Sequence, residues 1–295
     1  MSPTGQSQKF TSTDAMLLLM TSIWAVNFSV TKYATAAFEP RAFAGLRVGL
    51  SALVLVLLAL LARAPLPPVR DLFTLLAVGV IGHGVYQLLF IEGLARTRAG
   101  NAALIIAATP AFIAAASRWR GIERVRRRSL AGIAFSVIGV AAIVLGSATS
   151  RSGQASLAGT LLVFAGVLCW TAFTISLYPF TAGTHPLTLA AVTIVGGVLP
   201  LLVATAPALA RTAWSAVPAA VWPAVFYSSV FAMVIAYLFW YRGVRVLGPT
   251  RTAVYANVQP IIALVVAWIT LGETPTMWQG LGTATIITGV FFTRS

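Results

Sequence analysis

The sequence is poor in charged residues and in the side chains that metal sites and disulfides require. Its 295 residues include one cysteine, Cys169, two histidines and six acidic residues. A single cysteine excludes an intramolecular disulfide and a cysteine-based metal site, and few ligands remain for a catalytic metal. We therefore expect neither a cofactor nor enzymatic activity, and we interpret Cys169 as a small apolar residue inside a helix.

Charge is too scarce for a water-soluble protein. Charged residues make up 9% of the chain, hydrophobic residues make up 59%, and the mean hydropathy is +0.91. Soluble domains carry roughly 25% charged residues, so this chain could not cover a surface that faces water. Apolar runs of about 20 residues, enough for a helix to cross a hydrocarbon core of ~30 Å, recur along the whole chain. The sequence predicts an all-α membrane protein.

Ten apolar runs predict ten transmembrane helices with short connections. The predicted ranges are 14–34, 41–62, 71–94, 98–117, 129–148, 157–178, 186–205, 218–241, 250–271 and 275–293. Several of the ranges begin at or next to a proline, which costs little in the first turn of a helix. The connections leave no room for a soluble domain.

The net charge of +14 is distributed unevenly. One short connection holds six arginines, which are Arg118, Arg120, Arg124, Arg126, Arg127 and Arg128. Lysine and arginine concentrate in the cytoplasmic connections of membrane proteins. We therefore expect both termini in the cytoplasm, with anionic lipid headgroups rather than nucleic acid as the partner of this connection.

The two halves of the chain share an ordered set of residues. A shift of 150 residues pairs Pro110 with Pro260, Glu123 with Glu273 and Gly139 with Gly289, and a shift of 146 pairs Trp24 with Trp170. We infer two repeats of five helices, over residues 1–150 and 151–295, which join near Arg151. Because five is odd, the second repeat would insert upside down. Inverted repeats of this kind place a substrate site near the bilayer midplane.

Several motifs give the chain a family resemblance. Leu271-Gly272-Glu273 followed by Gln279-Gly280 opens the last predicted helix, and Trp24 to Phe28 lies in the first. With Thr109-Pro110 and Gln259-Pro260, these residues resemble the EamA-type branch of the drug/metabolite transporter superfamily. Within it the chain most resembles the YddG-like exporters. The resemblance implies a bacterial inner-membrane protein that exports aromatic and other amino acids.

The resemblance covers most of the chain, but the halves differ at two charged positions. Thr193 stands where the first half has Arg47, and Tyr178 stands where it has Lys32. Any role of these two cations is therefore not shared by both halves.

Polar and aromatic groups at the middles of the predicted spans are candidates for the substrate site, because burying them in hydrocarbon is costly unless they are paired or line a cavity. The candidates are Trp24, Asn27, His83, Tyr86, Gln87, Trp170, Tyr237, Tyr255 and Asn257. His83 and Gln87 are four apart and should share one helix face. Hydrogen bonding between helices and ordinary packing remain the alternatives for these residues.

Other residues near the spans have simpler expected roles. Pro110 and Pro260 interrupt backbone bonding in mid-helix and form either fixed bends or hinges. Arg47, six residues into its span, should snorkel to the interface, with contact to a substrate carboxylate as the alternative. We expect Trp240 and Tyr241 to be interfacial anchors. Glu123 and Glu273 should cap the N-termini of helices or hold the loops there in place.

These observations favour a monomeric secondary transporter that moves a small-molecule substrate by alternating access. An aromatic, mostly uncharged cavity suits amphiphilic metabolites, and amino acids fit that description. The alternative is a drug or nucleotide-sugar carrier of the same superfamily. A membrane enzyme would need converging acids, histidines or cysteines, and a channel would need rings of charge or a carbonyl filter.

Overall fold

The computed structural model describes residues 11–122, 127–148 and 156–294. Within those ranges the chain forms ten long helices and no strand. Counted through their short π-helical and 3-10 segments, they are α1 Ser12–Ala37, α2 Pro40–Leu61, α3 Val69–Arg96, α4 Ala99–Trp119, α5 Arg127–Ala148, α6 Leu157–Phe180, α7 Pro186–Arg211, α8 Ala219–Leu247, α9 Pro249–Leu271 and α10 Met277–Arg294. The all-α prediction is confirmed for the described residues.

Eight of the ten helices are long and apolar enough to cross a membrane, and they are α1 to α4 and α6 to α9. The remaining two, α5 and α10, pack against each other. Membrane crossing by α5 and α10 stays a prediction, as does the cytoplasmic location of the termini.

The exterior of the bundle is apolar. Leu53, Leu60, Phe73, Leu199 and Ile269 lie on four different helices and are between 63% and 75% exposed. A contiguous apolar exterior of this kind marks a surface that does not face water. The bundle therefore carries its apolar side chains both inside and outside, as a protein surrounded by lipid does.

The two halves contribute equivalent helices that exchange partners. In the first half α1 packs against α8 and α9, and in the second half α6 packs against α3 and α4. Likewise α2 contacts α8 while α7 contacts α3, and the pairs α2–α7 and α5–α10 each join equivalent helices. This reciprocity is what two related halves produce. The inverted orientation and the boundary near Arg151, which lies outside the described residues, stay predictions.

Four irregular helical segments occur at equivalent places in the two halves. Residues Val80–Val85 of α3 and Tyr227–Ile235 of α8 are π-helical. Helix α4 breaks at Ala108, directly before Thr109-Pro110, and α9 turns into a 3-10 segment at Tyr255–Val258, directly before Gln259-Pro260. Proline fits here because it occupies the first turn of the segment that follows each break. The interruptions of the helices are present, and a fixed bend or a hinge at the prolines stays a prediction.

Glycines allow two pairs of helices to approach closely. A methyl group built on Gly79 of α3 would overlap the carbonyl oxygen of Thr193 in α7. In the α5–α10 pair, a methyl group on Gly139 would lie 2.6 Å from Ile286, and one on Gly282 would lie 2.7 Å from Ile143. Because any larger residue would force the backbones apart, these glycines set the helix spacing.

Charged side chains at one end of the bundle cap helix termini. Glu273 accepts hydrogen bonds from the backbone N–H groups of Ala99 at 3.0 Å and Gly100 at 3.2 Å, and Arg98 lies 3.9 Å from its carboxylate. Glu273 does cap a helix, but the helix is α4 and not α10, because the connection after α9 folds back over the start of α4. The equivalent residue, Glu123, lies outside the described residues.

Candidate functional site

A central cavity lies where α1, α2, α3 and α6 face α8 and the irregular segments of α4 and α9. The volume open to the centres of water-sized molecules inside it is about 50 Å³. Its lining consists of Trp24, Asn27, Phe28, Arg47, Tyr86, Gln87, Phe90, Ile106, Thr109, Val167, Trp170, Ala232, Tyr237, Trp240, Ala253, Ala256 and Gln259. Most of these residues sit near the middles of their helices, so the cavity lies at the centre of the bundle.

Five aromatic rings form a continuous wall. Trp170 is the hub: its ring centroid lies 5.9 Å from that of Trp24, 5.1 Å from Tyr86, 5.4 Å from Tyr237 and 5.3 Å from Trp240. The Trp24–Trp170 pair is edge-to-face at 89°. Aromatic pairs favour such edge contacts because the electropositive rim of one ring meets the electronegative face of the other. The wall is held by four helices.

The indole of Trp24 is anchored by the irregular backbone of α8. Its Nε1–H donates to the carbonyl oxygen of Ala232 at 2.9 Å, within the π-helical segment. A buried indole N–H needs such a partner. Nearby, Ser228 donates to Oδ1 of Asn27 at 2.9 Å and fixes that amide against the same segment.

Two amide side chains present polar atoms to the cavity. Nε2 of Gln87 donates to the hydroxyl of Tyr237 at 2.9 Å, which joins two positions 150 residues apart and therefore equivalent in the repeat. The Oε1 atoms of Gln87 and Gln259 are buried and have no partner among the described residues. Buried polar atoms usually are hydrogen-bonded, so these two acceptors are free to bind a donor from a ligand.

Arg47 also lines the cavity. Its side chain is only 3% exposed, and its guanidinium lies 6.0 Å from the ring centre of Phe43 and 5.9 Å from that of Phe90. The prediction that Arg47 snorkels to an interface is therefore wrong. The reason is tertiary, because the rings of α2 and α3 hold the guanidinium inside the bundle.

Six of the nine predicted site residues line the cavity, and they are Trp24, Asn27, Tyr86, Gln87, Trp170 and Tyr237. His83 lies outside the lining. Its Nε2 is 3.2 Å from the hydroxyl of Thr193 and 3.1 Å from that of Tyr241. The side chains of His83 and Gln87 both contact Tyr237, since the His83 ring lies 5.1 Å from the Tyr237 ring and Gln87 donates to the Tyr237 hydroxyl, but only Gln87 lines the cavity. His83 therefore makes the hydrogen bonds between helices that the sequence analysis gave as the alternative to lining the cavity.

Tyr255 and Asn257 also lie outside the central lining. Tyr255 donates its hydroxyl hydrogen bond to Asp14 in the first turn of α1, and Asn257 lines a separate small cavity beside Pro260. The 3-10 segment repeats every three residues. It therefore points Ala253, Ala256 and Gln259 at the central cavity and turns Tyr255 and Asn257 away.

Trp240 and Tyr241 are not interfacial anchors. They are 1% and 0% exposed and belong to the core. Helix α8 runs to Leu247, six residues beyond its predicted end, so both rings lie deeper than the sequence suggested. Trp240 lines the cavity, and the sequence signal that could have found it is its position one turn after Tyr237.

Metal ligands are not gathered at the cavity. Among residues 11–122, 127–148 and 156–294, no group of three or more His, Cys, Asp or Glu side chains is placed to hold a metal ion. What the arrangement can do chemically is bind an aromatic or apolar group against its rings and polar groups against Arg47 and the two glutamine oxygens.

Comparison with known proteins identifies relatives over nearly the whole chain. The sequence profile of the EamA-like transporter family matches residues 11–145 and 157–295. Two Bacillus subtilis proteins are each 26% identical, the uncharacterized transporter YyaM over 93% of this chain and 91% of its own length, and the uncharacterized transporter YdfC over 93% and 88%. A protein of known crystal structure shares the fold with a TM-score of 0.67 at 18% identity, covering 96% of this chain and 98% of its own.

Proposed function

The chain belongs to the EamA-like transporter family, and we propose that it is a carrier that exports small amphiphilic metabolites, above all amino acids with aromatic or apolar side chains. Its similar proteins are transporters of uncharacterized substrate, so the substrate class has to be argued from the cavity.

The observation that carries this proposal is the aromatic wall around Trp170. Its rings stand 5.1–5.9 Å apart from centre to centre, on helices from both halves. Small-molecule sites are generally apolar and aromatic with a few well-placed polar groups. A ligand with an aromatic or branched apolar part gains contact area here that a fully polar metabolite would not.

The free amide oxygens favour a ligand that also carries N–H donors. Oε1 of Gln87 and Oε1 of Gln259 are both buried in the lining without a partner among the described residues. An unmade hydrogen bond in a buried place is costly, and a bound ammonium group would supply the missing donors. The α-ammonium group of an amino acid has three such N–H bonds.

Alternating access would follow from the two halves. Helices α3 and α8 carry equivalent π-helical segments, and α4 and α9 carry equivalent breaks beside the cavity. Rocking of one half against the other around a central site is the usual mechanism of transporters built from repeats. We further propose a monomer in a bacterial inner membrane with both termini in the cytoplasm. Export as the direction of flux rests on the family resemblance alone.

The test is counterflow in liposomes. Purified protein is reconstituted into vesicles that are loaded with one unlabelled compound, and uptake of the labelled compound is followed for phenylalanine, tryptophan, leucine, glutamate, a quaternary ammonium drug and a nucleotide sugar. We expect counterflow with the aromatic and leucine substrates. Exchange of only the drug or only the nucleotide sugar would replace the proposal with one of those alternatives.

A pair of tryptophan variants locates the transport site. Trp170→Ala removes the hub of the wall, and we expect the initial rate to fall at least about tenfold, since a well-packed aromatic contact contributes more than 1 kcal/mol. Trp268→Ala is the matched control, because that indole lies on the exterior of α9 and is 57% exposed. Equal transport rates for both variants, at equal expression and monodispersity, would show that the transport site lies outside the cavity.

A further inference from the structure

Arg47 is a positively charged group inside the cavity, and the described residues leave part of its guanidinium without a hydrogen-bond acceptor. Its Nε points at the thioether sulfur of Met233 at 3.3 Å, and its Nη1 is buried without a partner among the described residues. A guanidinium carries five N–H donors, and a thioether sulfur is a weak acceptor. The aromatic faces of Phe43 and Phe90 near the guanidinium stabilise its charge but do not accept its hydrogen bonds in the plane of the group.

Among the residues that the structure describes, no carboxylate lines the cavity with Arg47. The sequence has six acidic residues, and five of them are described: Asp14, Glu39, Asp71, Glu92 and Glu273. None of these five is in the lining. The acid nearest the middle of a span, Glu92, is bound to Arg41 at 2.9 Å and also to Arg96.

An unpaired charge in such a place is expensive. Removing a cation from water costs several kcal/mol unless a counterion or hydrogen bonds compensate. Ionisable residues within membrane spans accordingly tend to pair with one another or to serve the substrate pathway. The described residues offer Arg47 no counterion in the cavity, and a ligand with an anionic group would supply one.

We infer that Arg47 is an anion subsite that binds the carboxylate of the transported substrate. The inference rests on the proposed function and narrows it: a ligand must carry a carboxylate, while an ammonium group adds hydrogen bonds to the glutamine oxygens but is not sufficient for binding. Arginine suits this role because its planar fork binds both oxygens of a carboxylate at once. A cation without a carboxylate meets a like charge inside the cavity and is rejected.

Four compounds that share one phenyl group test the inference directly. They are phenylalanine, phenylpropionate, phenylalaninamide and phenethylamine, and the first two carry a carboxylate while the last two do not. Binding is measured on the purified full-length protein in detergent, by isothermal titration and by the shift of the melting temperature. We expect binding of phenylalanine and phenylpropionate, and an affinity about tenfold to a hundredfold lower for the other two.

Substitutions then assign the preference to Arg47. Arg47→Gln should reduce the affinity for both carboxylates about tenfold to a hundredfold and leave the weak binding of phenethylamine unchanged or stronger. Arg47→Lys keeps the charge but loses the fork, so we expect an intermediate affinity. Arg41→Gln is the matched control: Arg41 is on the same helix, is exposed and pairs with Glu92 outside the cavity.

The melting temperature without ligand tests whether Arg47 is instead needed for the stability of the fold. Arg47→Met replaces an unpaired buried cation by an apolar side chain of similar length, so its melting temperature should equal or exceed that of the wild type. A lower melting temperature for Arg47→Met would show that the arginine is part of the scaffold and would overturn the inference.

The other outcomes are also decisive. Equal affinity for the acids and the amines, no binding of any of the four, or stabilisation by inorganic phosphate as strong as by phenylpropionate would each overturn the carboxylate subsite. Carboxylate binding that depends on Arg47, without counterflow of any amino acid, would keep the subsite and refute the proposed transport of amino acids. The two proposals therefore fail separately.

Discussion

Two equivalent places in the halves of the bundle have opposite chemistry. The repeat pairs Arg47 of α2 with Thr193 of α7, and Met233 of α8 with His83 of α3. The contacts are equivalent as well, because Nε of Arg47 meets the sulfur of Met233 at 3.3 Å and the hydroxyl of Thr193 meets Nε2 of His83 at 3.2 Å. The first place is charged and lacks good acceptors, whereas the second is a neutral cluster completed by Tyr241.

The spacing of the helices around Thr193 and around Arg47 differs as well. The α3–α7 contact has glycines at positions where the α8–α2 contact has serines. Gly79 is equivalent to Ser229 in the repeat, and Gly197 is equivalent to Ser51. The glycines bring α3 and α7 into backbone contact and leave no space beside Thr193. On the other side Ser51 bridges the helices by donating to the carbonyl oxygen of Ser229 at 3.0 Å. The place around Thr193 is therefore closely packed, whereas the place around Arg47 opens onto the central cavity.

The largest effect is expected from a substitution that forces the closely packed helices α3 and α7 apart. Gly79→Ala places a methyl group against the backbone of Thr193, so α3 and α7 must separate, and we expect a loss of about 3 kcal/mol in the free energy of unfolding. The measurement is unfolding by SDS titration in mixed micelles.

Two alanine variants serve as controls for that loss. Gly49→Ala on α2 meets only the side chain of Leu202 at 3.8 Å, an ordinary contact, and Ser229→Ala changes the equivalent position on α8. Both should stay within about 0.5 kcal/mol of the wild type. If Gly79→Ala were as stable as Gly49→Ala, the two contacts would not differ in tightness and the comparison would lose its basis.

Much of this fold could be predicted because helix length and apolar composition leave few choices in a membrane. The ten predicted helices agree with the observed ones to within a few residues at most of their ends. Trp24, Trp170 and Tyr237 could also be placed in the cavity, because indole and phenol groups at mid-span need partners inside the protein.

The residues that sequence could not place share one cause, which is an irregular or extended helix. His83, on the π-helical segment, bonds to Thr193 and does not line the cavity. The 3-10 segment turns Tyr255 and Asn257 away from the cavity, and the longer α8 buries Trp240. Whether part of a span is α-, π- or 3-10-helical depends on packing between the halves. The regular α-helical period, which is used to assign helix faces from a sequence, does not reveal it. Arg47 differs, since only the tertiary contacts with Phe43 and Phe90 reveal that it stays inside.

A smaller effect is expected from removing one hydroxyl from the cluster of His83, Thr193 and Tyr241. Thr193→Val removes the hydroxyl that contacts His83 at 3.2 Å and Tyr241 at 3.0 Å, and we expect a loss of about 1–2 kcal/mol in the free energy of unfolding. Thr174→Val is the control, because its buried hydroxyl has no partner among the described residues. Counterflow by the folded fraction of Thr193→Val should match the wild type. A loss of transport larger than the loss of folded protein would make the cluster part of the mechanism and not scaffold.

The smallest effect concerns the other charged position at which the halves differ. Lys32 stands where the second half has Tyr178, and its Nζ donates to the carbonyl oxygens of Leu94 at 3.2 Å, Ala95 at 3.3 Å and Thr97 at 2.5 Å, at the end of α3. A cation at a helix C-terminus offsets the negative end of the helix dipole and satisfies carbonyls that have no partner inside the helix.

We expect Lys32→Met to lower the free energy of unfolding by about 0.5–1 kcal/mol. The equivalent helix, α8, ends at Gly248 with a positive φ of 83°, which a glycine adopts without strain and which stops the helix without a cation. Tyr178→Phe should therefore change stability by less than Lys32→Met in the same SDS titration. Transport of phenylalanine should survive Lys32→Met, because Lys32 is not among the residues that line the cavity. If Lys32→Met abolished transport at full stability, the first half would hold two functional cations, and the asymmetry between the halves would extend from the cavity to the end of the bundle.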